Sequence, residues 1–435
     1  MGNFISLPDY NIYVRTGDLR GSGTDANVYV VLHSESGEKS EVIRLANLWR
    51  NNFERGRTDI FAVRNLPNFG PIAKLEIWRD ALFGDEWYVD YVEVEDGTQE
   101  NRYPFPIQRW VTVQHLIIYK YDSVLPQFAP NPEERKTELD EKRSVYKSVT
   151  QVEGLPPFVT TVPRNEAFTV TYRYEIDKTK FQLSITALVK MFKGLVSSKE
   201  WKSFDDVNSL YGGFLEEPMH VDSWKEEWYF AEQRLRGSNP VQIRLCTEIP
   251  DNLGVTDDMM QPLLEGLTIS DAIAEKRLFI VNYTILKDVP TTSKNVTLCA
   301  PIALFFLNKD KDLTTVAIQL FQDKAEDNPV FLPTDPPNTW LLAKMYFNVA
   351  DASVHEANTH LLCTHLAMEC FAMSTHRHLS PSHPMYRLMI PHFQYMLPMN
   401  HKGYPTLMDP GGWFDKVMTM GRVGAEELMR RQWKE

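Results

Sequence analysis

The chain has 435 residues, with 46 Lys and Arg against 58 Asp and Glu, a net charge of -12 and a mean hydropathy of -0.34. That acidic balance excludes nucleic acid as a partner, because phosphate binding needs clustered cations. No run of eighteen apolar residues is present, which excludes a membrane-spanning helix, and the length calls for more than one domain.

The N-terminus, MGNFISLPDY, has no charged region followed by an apolar core, so it does not read as a secretory signal. Gly2 and Ser6 fit the pattern for N-myristoylation. Cys246, Cys299, Cys363 and Cys370 form no CxxC pair, and the expectation is a reduced, cytoplasmic chain.

Residues 10–112 are expected to form a β-sandwich. YNIYVRTG, NVYVVLHS, AKLEIWRD and WYVDYVEVED alternate in side-chain character and are rich in β-branched and aromatic residues. Gly, Asn and Asp clusters separate them. Three of the connecting stretches are rich in oxygen donors: GSGTDAN, NNFERGRTD and FGDEW. If these loops meet at one end of the sandwich, Asp25, Asn51, Asp85 and Glu86 supply the carboxylates and amide that Ca²⁺ takes. The alternative is that they are ordinary turn residues, which Asp and Asn favour in any case.

After Trp110 the pattern changes. Residues 125–166 are rich in Pro, Glu and Lys and read as a linker with one charged helix over 132–146. Apolar residues at helical spacing predict helices over 179–196 and 223–237, the second stopped by Gly237 and Asn239-Pro240. RLFIVNYTIL, PIALFFLN and LTTVAIQLF read as strands, the last two as a hairpin with a charged tip. The second domain, 113–435, is therefore mainly helical with a small sheet. It contains no GxGxxG, GxxxxGK[ST] or GxSxG motif.

Eight of the eleven histidines cluster near the C-terminal end: His355, His360, His365, His376, His378, His383, His392 and His401. Residues 339–379 hold apolar positions at helical spacing without Pro or Gly and predict one long helix. His355, His360 and His365 are five residues apart, not the four of an HExxH metalloprotease. On a regular α-helix, residues five apart point about 140° away from each other. The spacing thus denies a shared metal or demands a locally widened, π-type helix. Imidazole is the commonest metal ligand, so the crowding favours the second reading over a set of inert histidines.

TGDLRGSGTDANVYVVL, NNFERGRTD, the Asp-Glu-Trp loop and FPIQRW together resemble the PLAT (C2-like) domain of animal lipoxygenases. WLLAK, HLLCTHLAME, HPMYRLMIPH and Asn400 resemble the lipoxygenase signature, and coral-type enzymes are the most similar in character. The resemblance implies an N-terminal β-sandwich followed by the first part of a mainly α-helical lipoxygenase catalytic domain. It implies a non-haem iron dioxygenase that abstracts hydrogen from a bis-allylic carbon of a polyunsaturated fatty acid such as arachidonate. Dioxygen then adds to the pentadienyl radical and gives a hydroperoxide. By the same resemblance, His360 and His365 are iron ligands and His355 is not. Leu361 lines the channel beside the metal, and Gly403 is the oxygen-steering position, its glycine implying R stereochemistry. Asp25, Asn51, Asp85 and Glu86 are implied to bind Ca²⁺, and Trp49, Leu82 and Phe83 to enter the membrane surface, with Trp49 alternatively packed in the sandwich.

One departure stands out. The family draws further iron ligands from a later helix and from a C-terminal Ile carboxylate, whereas this sequence closes on RRQWKE. The expectation is therefore a chain that supplies only His360 and His365. Three readings follow: part of a working lipoxygenase, an inactive short form acting as a Ca²⁺-dependent membrane- or partner-binding module, or a different metal enzyme.

Overall fold

A computed structural model of the chain describes residues 9–434 except 49, 68–69, 82–85, 98–100, 121–127, 129–131, 164–165, 171, 183–218 and 381–382. The chain forms two compact units. One comprises Met1–Val149, Pro157–Lys180 and Glu369–His401; the other comprises Thr150–Pro156, Phe181–Met368 and Lys402–Glu435.

The first unit opens with eight strands: β1 Tyr10–Thr16, β2 Val28–Ser34, β3 Ile43–Leu45, β4 Thr58–Val63, β5 Ile72–Arg79, β6 Trp87–Asp96, β7 Arg102–Val111 and β8 Leu116–Tyr119. They make two antiparallel sheets, ordered β4-β1-β6-β7 and β3-β2-β5-β8. Alternation turns Tyr10, Ile12 and Val14 of β1, and Leu75 and Ile77 of β5, into one core, with Trp87 at its end. The Trp87 indole N–H donates to Thr16 Oγ1 at 3.1 Å. The sandwich continues past residue 112, where β8 pairs with β5, Leu75 opposite Ile118. Ile118 is buried in the sandwich core, and burying that apolar edge is what keeps Leu116–Tyr119 in the sheet.

A bulge interrupts β6–β7, where Val89 pairs with Arg109 but Tyr91 pairs with Pro106. Gln108 sits in the bulge with a φ of 47°. Beyond the sandwich, the helix Pro132–Val145 is fixed within the same unit. Lys142 Nζ donates to the Leu379 carbonyl at 3.1 Å, and Arg377 Nη1 donates to the Tyr146 carbonyl at 2.8 Å.

The second unit has a five-stranded antiparallel sheet of Arg244–Leu245, Leu278–Asn282, Ile302–Leu307, Leu313–Gln319 and Val330–Phe331, in that order. The expected hairpin is present, with Leu307 opposite Leu313. Ile302, Leu304 and Phe306 face a core closed by Leu264, Ala272 and Leu278. The helix expected over 223–237 spans Glu227–Arg236, while the one expected over 179–196 falls almost wholly outside the described residues.

One helical run dominates the C-terminal half. It is α-helical over Pro337–Val354, π-helical over His355–Ala367 and α-helical again over Met368–His378. Trp340, Ala343, Lys344, Phe347, Asp351 and Val354 are buried at i, i+3, i+4 spacing, so this first turn-set is held by its inner face. The Trp340 indole N–H donates to Glu227 Oε1 at 2.8 Å, and Lys344 Nζ pairs with the same oxygen at 2.5 Å. Among the described residues, no helix is long and apolar enough to cross a membrane.

Candidate metal centre and calcium loops

The widened segment answers the spacing problem. In a π-helix, residues five apart are hydrogen-bonded neighbours one turn apart, so His355, His360 and His365 come onto one face. The His360 and His365 Nε2 atoms are 3.2 Å apart. For metal–nitrogen bonds of about 2.1 Å, two imidazoles on adjacent positions of one ion bring their nitrogens roughly 3.0–3.4 Å apart. The pair therefore fits a single transition-metal ion.

The outer nitrogens are committed as metal-ligating histidines require. His360 Nδ1–H donates to Glu356 Oε2 at 3.2 Å, which leaves Nε2 with its lone pair. His355 Nδ1–H donates to the Ser238 carbonyl at 3.1 Å. Donor atoms of His355, Glu356 and His360 also lie within 4.8 Å of one another, the one such group of three among the described residues. These residues define two overlapping donor sets that share His360. In the second set Glu356 would have to be a ligand. Its carboxylate oxygen already accepts the His360 Nδ1–H, so it serves better to orient that ring.

A buried polar frame holds the helix just before this face. Arg234 Nη1 pairs with Asp351 Oδ2 at 3.1 Å, with both side chains nearly buried. The Arg234 guanidinium also lies 5.0 Å from the Phe230 and Phe347 rings. Asn239 Nδ2 donates to Asp351 Oδ1 at 2.7 Å, and its Oδ1 accepts from Thr359 Oγ1 at 2.7 Å. Tyr283 OH donates to Asp351, and burial first, then that carboxylate, pushes the phenol's pKa up. Asn239 thus ties Asp351 of the α-helical part to Thr359 of the π part. Thr364 Oγ1 donates to the Thr359 carbonyl at 2.8 Å, five residues back, and so occupies a carbonyl of the widened turn.

Leu361, the expected channel residue, is buried. At Gly403 an added Cβ would meet nothing within 4 Å. Asn400 and Glu369 meet in the first unit. The Glu369 carboxylate accepts from Asn400 Nδ2 at 2.7 Å and from the Val159 N–H at 2.8 Å, and burial pushes its pKa up.

At the sandwich end, two of the three oxygen-rich loops meet. The Thr24 N–H donates to the Phe53 carbonyl at 3.2 Å, and Gly23 packs so closely that a Cβ would stand 3.1 Å from the same oxygen. The Tyr88 N–H donates to the Ser22 carbonyl at 3.0 Å. Asp25 is exposed at the edge of a cleft of about 320 Å³ whose walls include Gly21, Thr24 and Glu54. Asn51 Nδ2 donates to Glu54, bringing its amide to that carboxylate. These are hard oxygen donors suited to Ca²⁺. Glu86 Oε1 accepts the Val170 N–H. Asp85, Trp49, Leu82 and Phe83 lie outside the described residues.

Glu54, Glu356 beside the His360 ring, and Asn239 join the sites without having stood out in the sequence. Glu54 stands inside the loop NNFERGRTD and was legible there as a further carboxylate. Asn239 was visible only as part of a helix stop.

Comparison with known proteins adds identity to this geometry. The lipoxygenase family model matches residues 215–433, and the PLAT/LH2 domain model matches residues 10–125. An allene oxide synthase-lipoxygenase protein of Plexaura homomalla is 30% identical over 98% of this chain and 43% of its own length. An arachidonate 12-lipoxygenase of 12R type from Mus musculus is 28% identical over 98% of this chain and 67% of its own. A coral 8R-lipoxygenase crystal structure, described as activated by calcium through a C2-like domain, superposes with a TM-score of 0.81. It is 29% identical and is matched over 98% of this chain and 65% of its own. The chain thus spans between under half and about two thirds of these relatives' lengths.

Proposed function

Because this chain belongs to the lipoxygenase family, we propose that it serves a non-haem iron dioxygenase acting on polyunsaturated fatty acids such as arachidonate. The observation that carries the reading is the 3.2 Å approach of His360 and His365 Nε2 across the widened helix. Iron, when bound, supplies the one-electron chemistry that abstraction of a bis-allylic hydrogen needs.

This chain's residues do the rest. His360 and His365 hold the ion through Nε2. Glu356 keeps the His360 ring in the tautomer that leaves Nε2 bare. The Arg234–Asp351–Asn239 frame fixes the helix behind them. Leu361 lines the fatty-acid channel at the next position, and Gly403 leaves the space of a methyl open for dioxygen, giving R products. Replacing Gly403 with Ala shifts the hydroperoxide toward S.

The sandwich serves as a Ca²⁺-dependent membrane module, so the protein is cytoplasmic and associates peripherally with membranes. Asp25, Asn51, Asp85 and Glu86, joined by Glu54, supply calcium oxygens, and Trp49, Leu82 and Phe83 enter the headgroup layer. An acidic chain needs bridging cations at an anionic leaflet.

A second reading keeps the membrane module without turnover. It is favoured by the openness of the histidine face, where the His360 side chain is 43% exposed. Incubation of the iron-loaded chain with arachidonate separates the two. Conjugated-diene absorbance supports the dioxygenase, whereas iron uptake without hydroperoxide supports the module. Vesicle binding that ignores calcium contradicts the membrane role in both.

A further inference from the structure

Within the first unit lies a cavity of about 320 Å³ that neither the iron nor the calcium reading uses. Among the described residues its walls carry Asp18, Asp90, Glu166 and Arg109, and Asp18 is already paired with Arg55 Nε at 2.7 Å. Arg109 is committed elsewhere: Nε donates to the Ile107 carbonyl at 3.2 Å and Nη2 to the Tyr386 hydroxyl at 3.4 Å.

The acceptors have capacity left. His376 is 3% exposed, yet its Nε2 makes no hydrogen bond. That nitrogen stands 3.4 Å from Glu166 Oε1, which already accepts from Tyr146 OH at 2.8 Å. His376 Nδ1 faces the Tyr386 hydroxyl at 3.4 Å. With the proton on Nδ1, Nε2 presents a lone pair to the cavity. Burial, then the charges of Arg109 and Lys142, keep this ring neutral by pushing its pKa well down.

Gln108 Oε1 is also buried without a hydrogen bond. Gln108 reaches the cavity from the β6–β7 bulge at a φ of 47°, a conformation that strains a residue with a side chain. A strained residue that also leaves a buried oxygen unsatisfied costs stability twice over. Asp90 adds to the demand: burial first, and Asp18 beside it, push its pKa up, and the Arg15 Nε is 3.9 Å away. The Tyr88 and Trp110 rings meet edge to face at 5.4 Å in the wall and offer π-faces to a cation.

We propose that this cavity binds a protonated primary amine, whose N–H donors go to His376 Nε2, Glu166 Oε1 and Gln108 Oε1. Its charge faces the Glu166 carboxylate, and its three donors match the Glu166 oxygen and the two buried acceptors left open, His376 Nε2 and Gln108 Oε1. The same ammonium chemistry has two sources, a free small amine or the ethanolamine headgroup of a lipid.

Calorimetric titration of the full chain with n-propylammonium tests the assignment, with tetramethylammonium and propionate as controls. The expected result is saturable binding of n-propylammonium and none of either control. Gln108→Leu and His376→Phe each weaken it by about tenfold, the scale of one charge-assisted hydrogen bond. Gln108→Leu is also expected to melt no lower than the parent, since it removes an unsatisfied buried group, so its loss of binding is not a loss of fold. Vesicles containing phosphatidylethanolamine, without calcium, separate the sources. Binding displaced by n-propylammonium marks the lipid headgroup, and binding of the soluble amine alone marks a free amine. Absence of n-propylammonium binding, equal binding of tetramethylammonium, or unchanged affinity in both variants overturns the proposal.

Discussion

His360 and His376 stand on one continuous helical run and meet opposite fates. The His360 side chain is 43% exposed, and its Nδ1–H is taken by a carboxylate one turn earlier, so Nε2 opens toward His365. His376 is 3% exposed and stacks on the Tyr146 ring at 4.3 Å. Burial first, then Arg109 and Lys142, push its pKa well down. The same imidazole is a metal donor in one setting and a neutral packing group with one open nitrogen in the other. What separates them is the partner of the second nitrogen and the width of the helix turn, not the residue type.

The largest expected effect comes from breaking the frame behind the open set. Asp351→Ala leaves Arg234 as a buried, unpaired cation and is expected to cost about 3–5 kcal/mol, measured by denaturant unfolding. A cost under about 1 kcal/mol would show that the frame does not hold the widened helix.

Glu356→Gln comes next and sharpens the open side directly. It keeps the size of the side chain but removes the charge that fixes the His360 tautomer. Iron affinity is expected to fall by about 10–100-fold with little change in melting. Unchanged affinity would remove Glu356 from its orienting role.

The buried side responds to pH. Lys142 packs beside Glu138 at 3.3 Å in this cluster, and burial pushes its pKa down to about 7. The unfolded chain then holds a proton on this lysine that the folded chain has released, from about pH 7 up to the ordinary lysine range near 10.4. Stability should rise with pH across that window, by up to about 1.4 kcal/mol per pH unit, and the penalty is fully present below pH 7. Lys142→Met should flatten the rise, as read from melting temperatures between pH 7 and 9. A parallel slope in the variant would assign the pH dependence to other groups.

Much of this contrast was legible in the sequence on one side only. The five-residue spacing of His355, His360 and His365 required a widened helix, because no regular helix brings i and i+5 together, and a π-helix spans His355–Ala367. The loops around Asp25 and Asn51 were readable as partners because their composition is that of oxygen-donor turns. In the sandwich, β1, β2, β5 and β6 followed from alternation, whereas β3, β4, β7 and β8 did not. Other features left no such trace. Asn239 joins Asp351 to Thr359 across more than a hundred residues of chain, and a lone Asn before Pro reads as a turn. The Gln108 bulge depends on how β6 and β7 pair, which alternation alone does not reveal. The strand Leu116–Tyr119 is short and follows a change in composition, so its pairing with β5 was hidden. Long-range pairing and buried charge frames are set by tertiary packing, and local pattern carries them weakly.

On the proposed reading, His360 and His365, rather than the overlapping set of His355, Glu356 and His360, form the metal face. Iron content after equilibration of the full chain with ferrous iron, measured for His355→Ala, His360→Ala and His365→Ala, tests it most directly. The iron bound by the parent chain is expected to be lost in His360→Ala and His365→Ala and retained in His355→Ala. Retention in His365→Ala with loss in His355→Ala would contradict it.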